Sequence, residues 1–192
     1  MALEILTFML NLGILSCNFF GTTGESLSMN RPDYKIGSGH DVHRLVPGRR
    51  LVLGGKDIPF EKGLDGHSDA DVLVHAVCDA ILGALGCGDI GEHFPDTDPA
   101  YKGISSLVLL ESCRAIMEER GYAINNLDCI VFAEKPRLSP HKKDMEENLA
   151  RVLKIDPGLV NIKATTTEGL GFTGRQEGIA AQCTLLLKAL SN

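Results

Sequence analysis

Every odd-numbered residue from Ile179 to Ala189 is apolar, while Gln182, Thr184 and Lys188 sit among the even ones. A period of two over that length specifies a β-strand with one buried face. Such a strand cannot stand alone; it needs neighbouring strands and a second layer over its apolar side. The rest of the chain provides both. Val160, Ile162 and Ala164 alternate with Asn161, Lys163 and Thr165, and Tyr34 to Leu45, Arg50 to Leu53 and Leu127 to Ala133 read as further strands. Ser68 to Leu85 reads as a helix with a capping-box-like Ser68/Asp71 start, apolar Leu73, Val77, Ala80, Ile81 and Ala84, and a stop at Gly86. A second helix runs from Ser105 to Arg120 before Gly121. A third follows Ser139-Pro140 and buries Met145, Leu149, Val152 and Leu153. The order β-β-α-α-β-α-β-β predicts one α/β (α+β) domain: a mixed sheet with helices packed on one face.

The 192 residues suit a single domain. A net charge of −6 argues against a nucleic-acid surface, so an anionic ligand would need local cations. The six cysteines form no C-x-x-C pair and several lie in apolar runs, which reads as buried free thiols of a reducing compartment. Residues 2–20 are apolar-rich with Glu4 as their only charge, and a Gly/Ser/Thr-rich stretch leads to Met29. The segment lacks the basic region of a signal or transit peptide and is interrupted by Asn11 and Gly13, too soon for a membrane span. Residues 1–33 are therefore expected to be a dispensable extension, with the domain over 34–192.

In Asp41-Val42-His43 the strand parity sends Asp41 and His43 to one face and Val42 into the core. A carboxylate and an imidazole side by side are two ligands for a divalent metal such as zinc, although a surface carries such pairs too. His40 has the wrong parity. His75 lies on the first helix with Asp71 and Asp79 four residues either side, placed to hold its tautomer. Gly66-His67-Ser68-Asp69 stands at the expected helix start, where an anion or plain capping fits equally. Gly88 to Asp98 is a polar loop with four acidic residues. Thr165 to Arg175 combines hydroxyls, Glu168, three glycines and Arg175, a set suited to a phosphate and its Mg²⁺, or to a tight turn.

D-V-H, G-H-S-D-A-D-V-x-x-H, G-D-I-G-x-x-F-P-D-T-D-P and A-T-T-T-E-x-L-G-F-T-G-R-x-E-G-I-A, in this order from Lys35 to Leu190, closely resemble the 2-C-methyl-D-erythritol 2,4-cyclodiphosphate synthases. The resemblance implies a ferredoxin-like homotrimer with active sites between subunits. It also implies closure of 4-diphosphocytidyl-2-C-methyl-D-erythritol 2-phosphate to a cyclic diphosphate with loss of CMP, in the non-mevalonate route to isoprenoids. Asp41, His43 and His75 then match the zinc ligands, and Glu168 the ligand of Mg²⁺ or Mn²⁺ at the diphosphate. His67 and Thr166 match the residues that steady the transition state. Substrate contacts fall on Asp41, Val42, His43, His67, Ser68, Asp89, Ile90, Gly91, Phe94, Pro95, Asp96, Thr97 and Asp98, with Asp89 on the ribose. They continue through Ala133, Glu134, Lys135, Pro136, Arg137, Leu138 and Ser139 at the cytidine, and Thr165, Thr166, Thr167, Glu168, Phe172 and Arg175 near the phosphates.

Three positions depart from the family pattern. Ser38 and His40 stand in a strand that usually reads G-H-G-[FY]-D-V-H, and Arg137 replaces a common Lys. A non-catalytic nucleotide or isoprenoid-phosphate binding module and a zinc-dependent phosphoesterase are the alternatives. The expected location is the cytoplasm, or the plastid in a plastid-bearing eukaryote, with no nucleic acid or membrane partner.

Overall fold

The computed structural model describes residues 31–191. The strands are β1 (Tyr34–Pro47), β2 (Leu51–Leu53), β3 (Lys56–Ile58), β4 (Lys62–Leu64), β5 (Tyr122–Phe132), β6 (Val160–Thr165) and β7 (Gly178–Ala189). The helices are α1 (Val72–Leu85), the single turn α2 (Ile90–His93), α3 (Ser106–Glu119), α4 (Lys142–Leu153) and the short α5 (Gly171–Gly174). Five strands form one sheet in the order β4-β1-β7-β5-β6, and β2 and β3 form a separate hairpin. Neighbours run antiparallel except β5 and β6, which are parallel, so the sheet is mixed as expected.

The long alternating strand β7 is central and pairs with β1 and β5 over most of its length. Its apolar residues Ile179, Ala181, Cys183, Leu185 and Leu187 are buried against the helical layer. Two short strands, β3 and β4, escape sequence reading because three residues carry no period. β5 starts at Tyr122 instead of Leu127, since the polar Asn125-Asn126 pair falls at a bulge, where the register shifts, and does not end the strand. Two of the three predicted helix starts move downstream. Asp71, not Ser68, caps α1 by accepting from the N–H of Val74, and Ser68 Oγ accepts from Ala70 N–H. α4 begins at Lys142; the Ser139 hydroxyl is engaged by Arg137 Nε instead of a helix N–H. Gly86 ends α1 in the left-handed conformation, at φ 69°.

The approach of α1 to β1 sets up everything that follows. Gly37 and Gly39 occupy the inward face of β1 with Asp41, His43 and Leu45. A Cβ at Gly37 would stand 1.9 Å from the Ala80 carbonyl oxygen, and one at Gly39 would stand 2.1 Å from that of Ala76. The missing side chains let the helix backbone lie directly on the strand, which brings His75 over Asp41 and His43. The outward face carries Tyr34, Ile36 and Val42, all exposed. Val42 thus does not point into the core. The parity is right but the faces are exchanged, because the buried side of this strand is marked by glycines and not by large apolar residues.

Residues Arg31 to Asp33, assigned to the extension from sequence, are bound to the domain. Arg31 donates to the carbonyls of Arg120 and Leu190 and lies over the Tyr122 ring, whose hydroxyl donates to the Pro32 carbonyl. The remainder of the expected extension, residues 1–30, lies outside the described residues. Among the described residues, no helix is long and apolar enough to cross a membrane.

Candidate functional site

Asp41 Oδ2 lies 3.0 Å from His43 Nε2 and 3.0 Å from His75 Nδ1, and the two nitrogens are 3.2 Å apart. The three atoms form a nearly equilateral triangle at a half-buried position. A zinc ion at ~2.0–2.1 Å from tetrahedral donors would hold them roughly 3.3 Å apart, so the triangle fits with little adjustment. His43 Nδ1–H donates to the Asp65 carbonyl at 2.6 Å. A carbonyl can only accept, so in the neutral ring Nε2 carries the lone pair and faces the other two atoms of the triangle. Acceptor atoms crowd together in this way when a cation belongs among them.

The electrostatics express the same demand. Burial raises the Asp41 carboxyl, but hydrogen bonds and charge from His43 and His75 outweigh it and leave the group well below the usual carboxylate range. Burial lowers His43, and its pairing with Asp41 outweighs that and raises it above an ordinary imidazole. Both shifts favour a positive charge at the centre of the triangle.

Neither Asp71 nor Asp79 holds the His75 ring. Asp71 is fully buried and accepts from the N–H groups of Gly54 and Gly55 as well as Val74, so it ties the β2–β3 hairpin to α1. Burial pushes its carboxyl up to about 6 against those hydrogen bonds. Asp79 accepts from Ile90 N–H. The far nitrogen of His75 meets the Ser106 hydroxyl at 2.9 Å and that of Ser68 at 3.3 Å. His67 stands beside this set, with Nε2 3.3 Å from the Asp98 carbonyl oxygen. It lies ahead of α1, so the helix N-terminus that was to hold an anion there is displaced. The acidic loop is partly structural: Asp89 caps α2, Asp98 caps the turn at Pro99–Tyr101, and Phe94 packs edge-on to Tyr101. Gly91, Pro95, Asp96 and Thr97 are exposed and Ile90 is half-buried.

A second set of predicted residues gathers at the end of β5 and β6. A cavity of about 270 Å³ is lined by Ala133, Glu134, Pro136, Arg137, Leu138, Ser139, Ala164, Thr165 and Thr166. Lys135 does not line it. Glu134 accepts from the N–H groups of Thr167 and Gly169, which hold its carboxyl below its usual range. The Thr166 hydroxyl donates to Glu168 Oε1 at 2.8 Å, and Glu168 is exposed at φ 53°. Phe172 is exposed on α5, and Arg175 pairs with Glu177. Among the described residues, no side-chain hydrogen bond or ion pair joins this set to the triad.

The YgbB family profile matches residues 34–188, all but the first few and last few of the described domain. The chain belongs to the YgbB family. A relative from Geotalea uraniireducens, named 2-C-methyl-D-erythritol 2,4-cyclodiphosphate synthase, is 61% identical over 154 residues, 80% of this chain and 98% of its own. The solved structure of the bifunctional IspDF from Campylobacter jejuni matches 82% of this chain and 43% of its own, at 44% identity and a TM-score of 0.80. A CDP complex of IspF from Plasmodium falciparum matches 82% of this chain and 97% of its own, at 33% identity and a TM-score of 0.73. The resemblance of the sequence motifs to these synthases is therefore borne out.

For this YgbB domain, sequence reading missed Arg49 and Ser106 around the triad and read Asp69 only as part of a helix start. Arg49 donates to the carbonyls of Gly66 and Ser68 and holds the His67 segment in place. Ser106 and Asp69 stand behind His75, and their hydroxyl and carboxylate are in hydrogen-bond contact. Ser106 lies 31 positions from His75, so no local spacing signals the pair. The five cysteines among the described residues are free thiols, four of them buried, as expected.

Proposed function

We propose that the chain converts 4-diphosphocytidyl-2-C-methyl-D-erythritol 2-phosphate to 2-C-methyl-D-erythritol 2,4-cyclodiphosphate and CMP. The observation that carries this reading is the triangle of Asp41 Oδ2, His43 Nε2 and His75 Nδ1 in a chain that is 61% identical to a synthase of that name. An oxygen of the substrate's own 2-phosphate attacks the β-phosphorus, the bond to the α-phosphate breaks, and CMP leaves with the electron pair. No side chain has to act as nucleophile; the task is orientation and neutralisation of charge.

Asp41, His43 and His75 would hold zinc, and Glu168 would hold Mg²⁺ or Mn²⁺, both supplying positive charge to the phosphates when bound. His67 and Thr166 steady the transferring group, and Ser68 and Arg175 contact the phosphates. The cavity between Ala133 and Thr166 takes the cytosine, with Asp89 on the ribose. The CDP complex of the Plasmodium relative supports a cytidine nucleotide as the kind of ligand.

We read the domain as ferredoxin-like and the assembly as a homotrimer whose sites lie between subunits. The exposed apolar row Tyr34, Ile36 and Val42 on the outward face of β1 supports a covered sheet face, and the separation of the two residue sets supports completion by a neighbour. A cytoplasmic location agrees with the free thiols. Residues 1–30 remain, on this reading, unnecessary for turnover.

Phosphorus NMR on the authentic substrate tests the reading. A cyclic diphosphate with stoichiometric CMP supports it. A linear hydrolysis product would assign the triad to a phosphoesterase, and tight binding without turnover would make the chain a binding module.

A further inference from the structure

Asp69 and Ser106 belong to no role derived so far, and they meet at the start of two helices. Asp69 precedes α1 and Ser106 opens α3. The Asp69 carboxylate accepts from Ser106 N–H at 3.1 Å and from Asp71 N–H at 3.3 Å, and it is in close hydrogen-bond contact with Ser106 Oγ. Ser106 is fully buried. On its other side Ser106 Oγ stands 2.9 Å from His75 Nε2.

An ionised carboxylate only accepts, so the single hydroxyl hydrogen of Ser106 goes to Asp69. Ser106 Oγ then offers only lone pairs to His75, and the ring must place its proton on Nε2 to bond there. That leaves Nδ1 unprotonated, and Nδ1 is the atom that faces Asp41 and His43. The opposite tautomer would set an Nε2 lone pair against an oxygen with no hydrogen to give. We infer that Asp69 and Ser106 are positioning residues that hold His75 in the one tautomer able to ligate a metal. The inference rests on the reading of Asp41, His43 and His75 as a metal site.

The roles of the two histidines are then matched. The Asp65 carbonyl fixes the proton of His43 on Nδ1 and frees Nε2; the Asp69–Ser106 pair fixes the proton of His75 on Nε2 and frees Nδ1. Ser68 Oγ accepts from Ala70 N–H and keeps its own hydrogen, which Ser106 Oγ can accept at 3.4 Å; at 3.3 Å from His75 Nε2 it makes the longer contact, and the 2.9 Å contact with Ser106 fixes the ring.

Zinc affinity, measured by competition with a chromophoric chelator, separates the possibilities. Ser106→Ala and Asp69→Asn should each weaken zinc binding by roughly 10–100-fold, the scale of losing an outer partner of a ligand. Ser106→Thr keeps the hydroxyl and should bind nearly as the wild type does. Long-range proton–nitrogen correlation on the zinc-loaded wild type should show His75 protonated at Nε2 and metal-bound at Nδ1; this measurement needs no variant to fold. Unchanged zinc affinity in both Ser106→Ala and Asp69→Asn, or metal on Nε2 of His75, would overturn the inference and leave the metal site standing. A wild type that binds no zinc at the triad would overturn both.

Discussion

At the scale of single residues, the site depends on atoms that are absent as much as on those present. Gly39 and Gly83 make the contrast. A Cβ at Gly39 would collide with the Ala76 backbone, one position from His75, whereas Gly83 has nothing nearer than 3.9 Å. Gly39→Ala should cost about 3 kcal/mol, the upper range for overpacking against a backbone that cannot yield, and should also lower zinc content. Gly83→Ala should stabilise the protein by roughly 0.5–1 kcal/mol through helix propensity and leave zinc alone. Thermal unfolding and metal analysis of both variants check the pair. Glu168 is the opposite case, an exposed carboxylate on a loop. Glu168→Gln keeps its size and loses its charge, so turnover should fall on the order of 10²-fold while zinc remains bound. Steady-state kinetics at varied Mg²⁺ test this, and normal turnover at low Mg²⁺ would remove Glu168 from the second metal. The ligands were legible in the sequence because strand parity and helical spacing are local rules. The partners that orient them were not, since Asp65 and Ser106 reach the rings, and Asp69 reaches Ser106, from elsewhere in the chain.

At the scale of elements, α1 shows where sequence signals compete. The Ser68/Asp71 pattern predicts a start one turn too early. Asp71 is the cap because its carboxylate serves Val74 and, at the same time, Gly54 and Gly55 of the hairpin turn. A cap used twice cannot be recognised from one side. Asp71→Ala should therefore cost more than an ordinary cap, about 3 kcal/mol, because two loop N–H groups lose their partner with it. Denaturant unfolding checks the value; a loss under 1 kcal/mol would mean that water replaces the carboxylate. The long elements β7, α1 and α3 were readable from periodicity alone. β3 and β4 were not, because tertiary pairing across the hairpin and with β1 defines them.

At the scale of the whole molecule, the outward face of the sheet was misread where Val42 was concerned, and that face is what a subunit would cover. Ile36, at 72% exposure, is the most open of the apolar row Tyr34, Ile36 and Val42. If the chain is the proposed homotrimer, Ile36→Lys should shift it to monomers in sedimentation velocity and abolish turnover without unfolding it; an unchanged assembly would place the interface elsewhere. At the amino-terminal edge the contacts extend past Tyr34 to Arg31. A chain beginning at Met29 keeps Arg31 and should fold and turn over normally, whereas one beginning at Tyr34 loses the Arg31 bonds to Arg120 and Leu190 and should melt at lower temperature. The Glu134 carboxylate reaches from the cavity wall to the loop that carries Glu168. If the cavity takes the cytosine as proposed, the energy of gripping a distant base becomes convertible into rate: a substrate stripped of its cytosine should lose kcat more than KM, and Glu134→Ala should make the complete substrate behave like the stripped one.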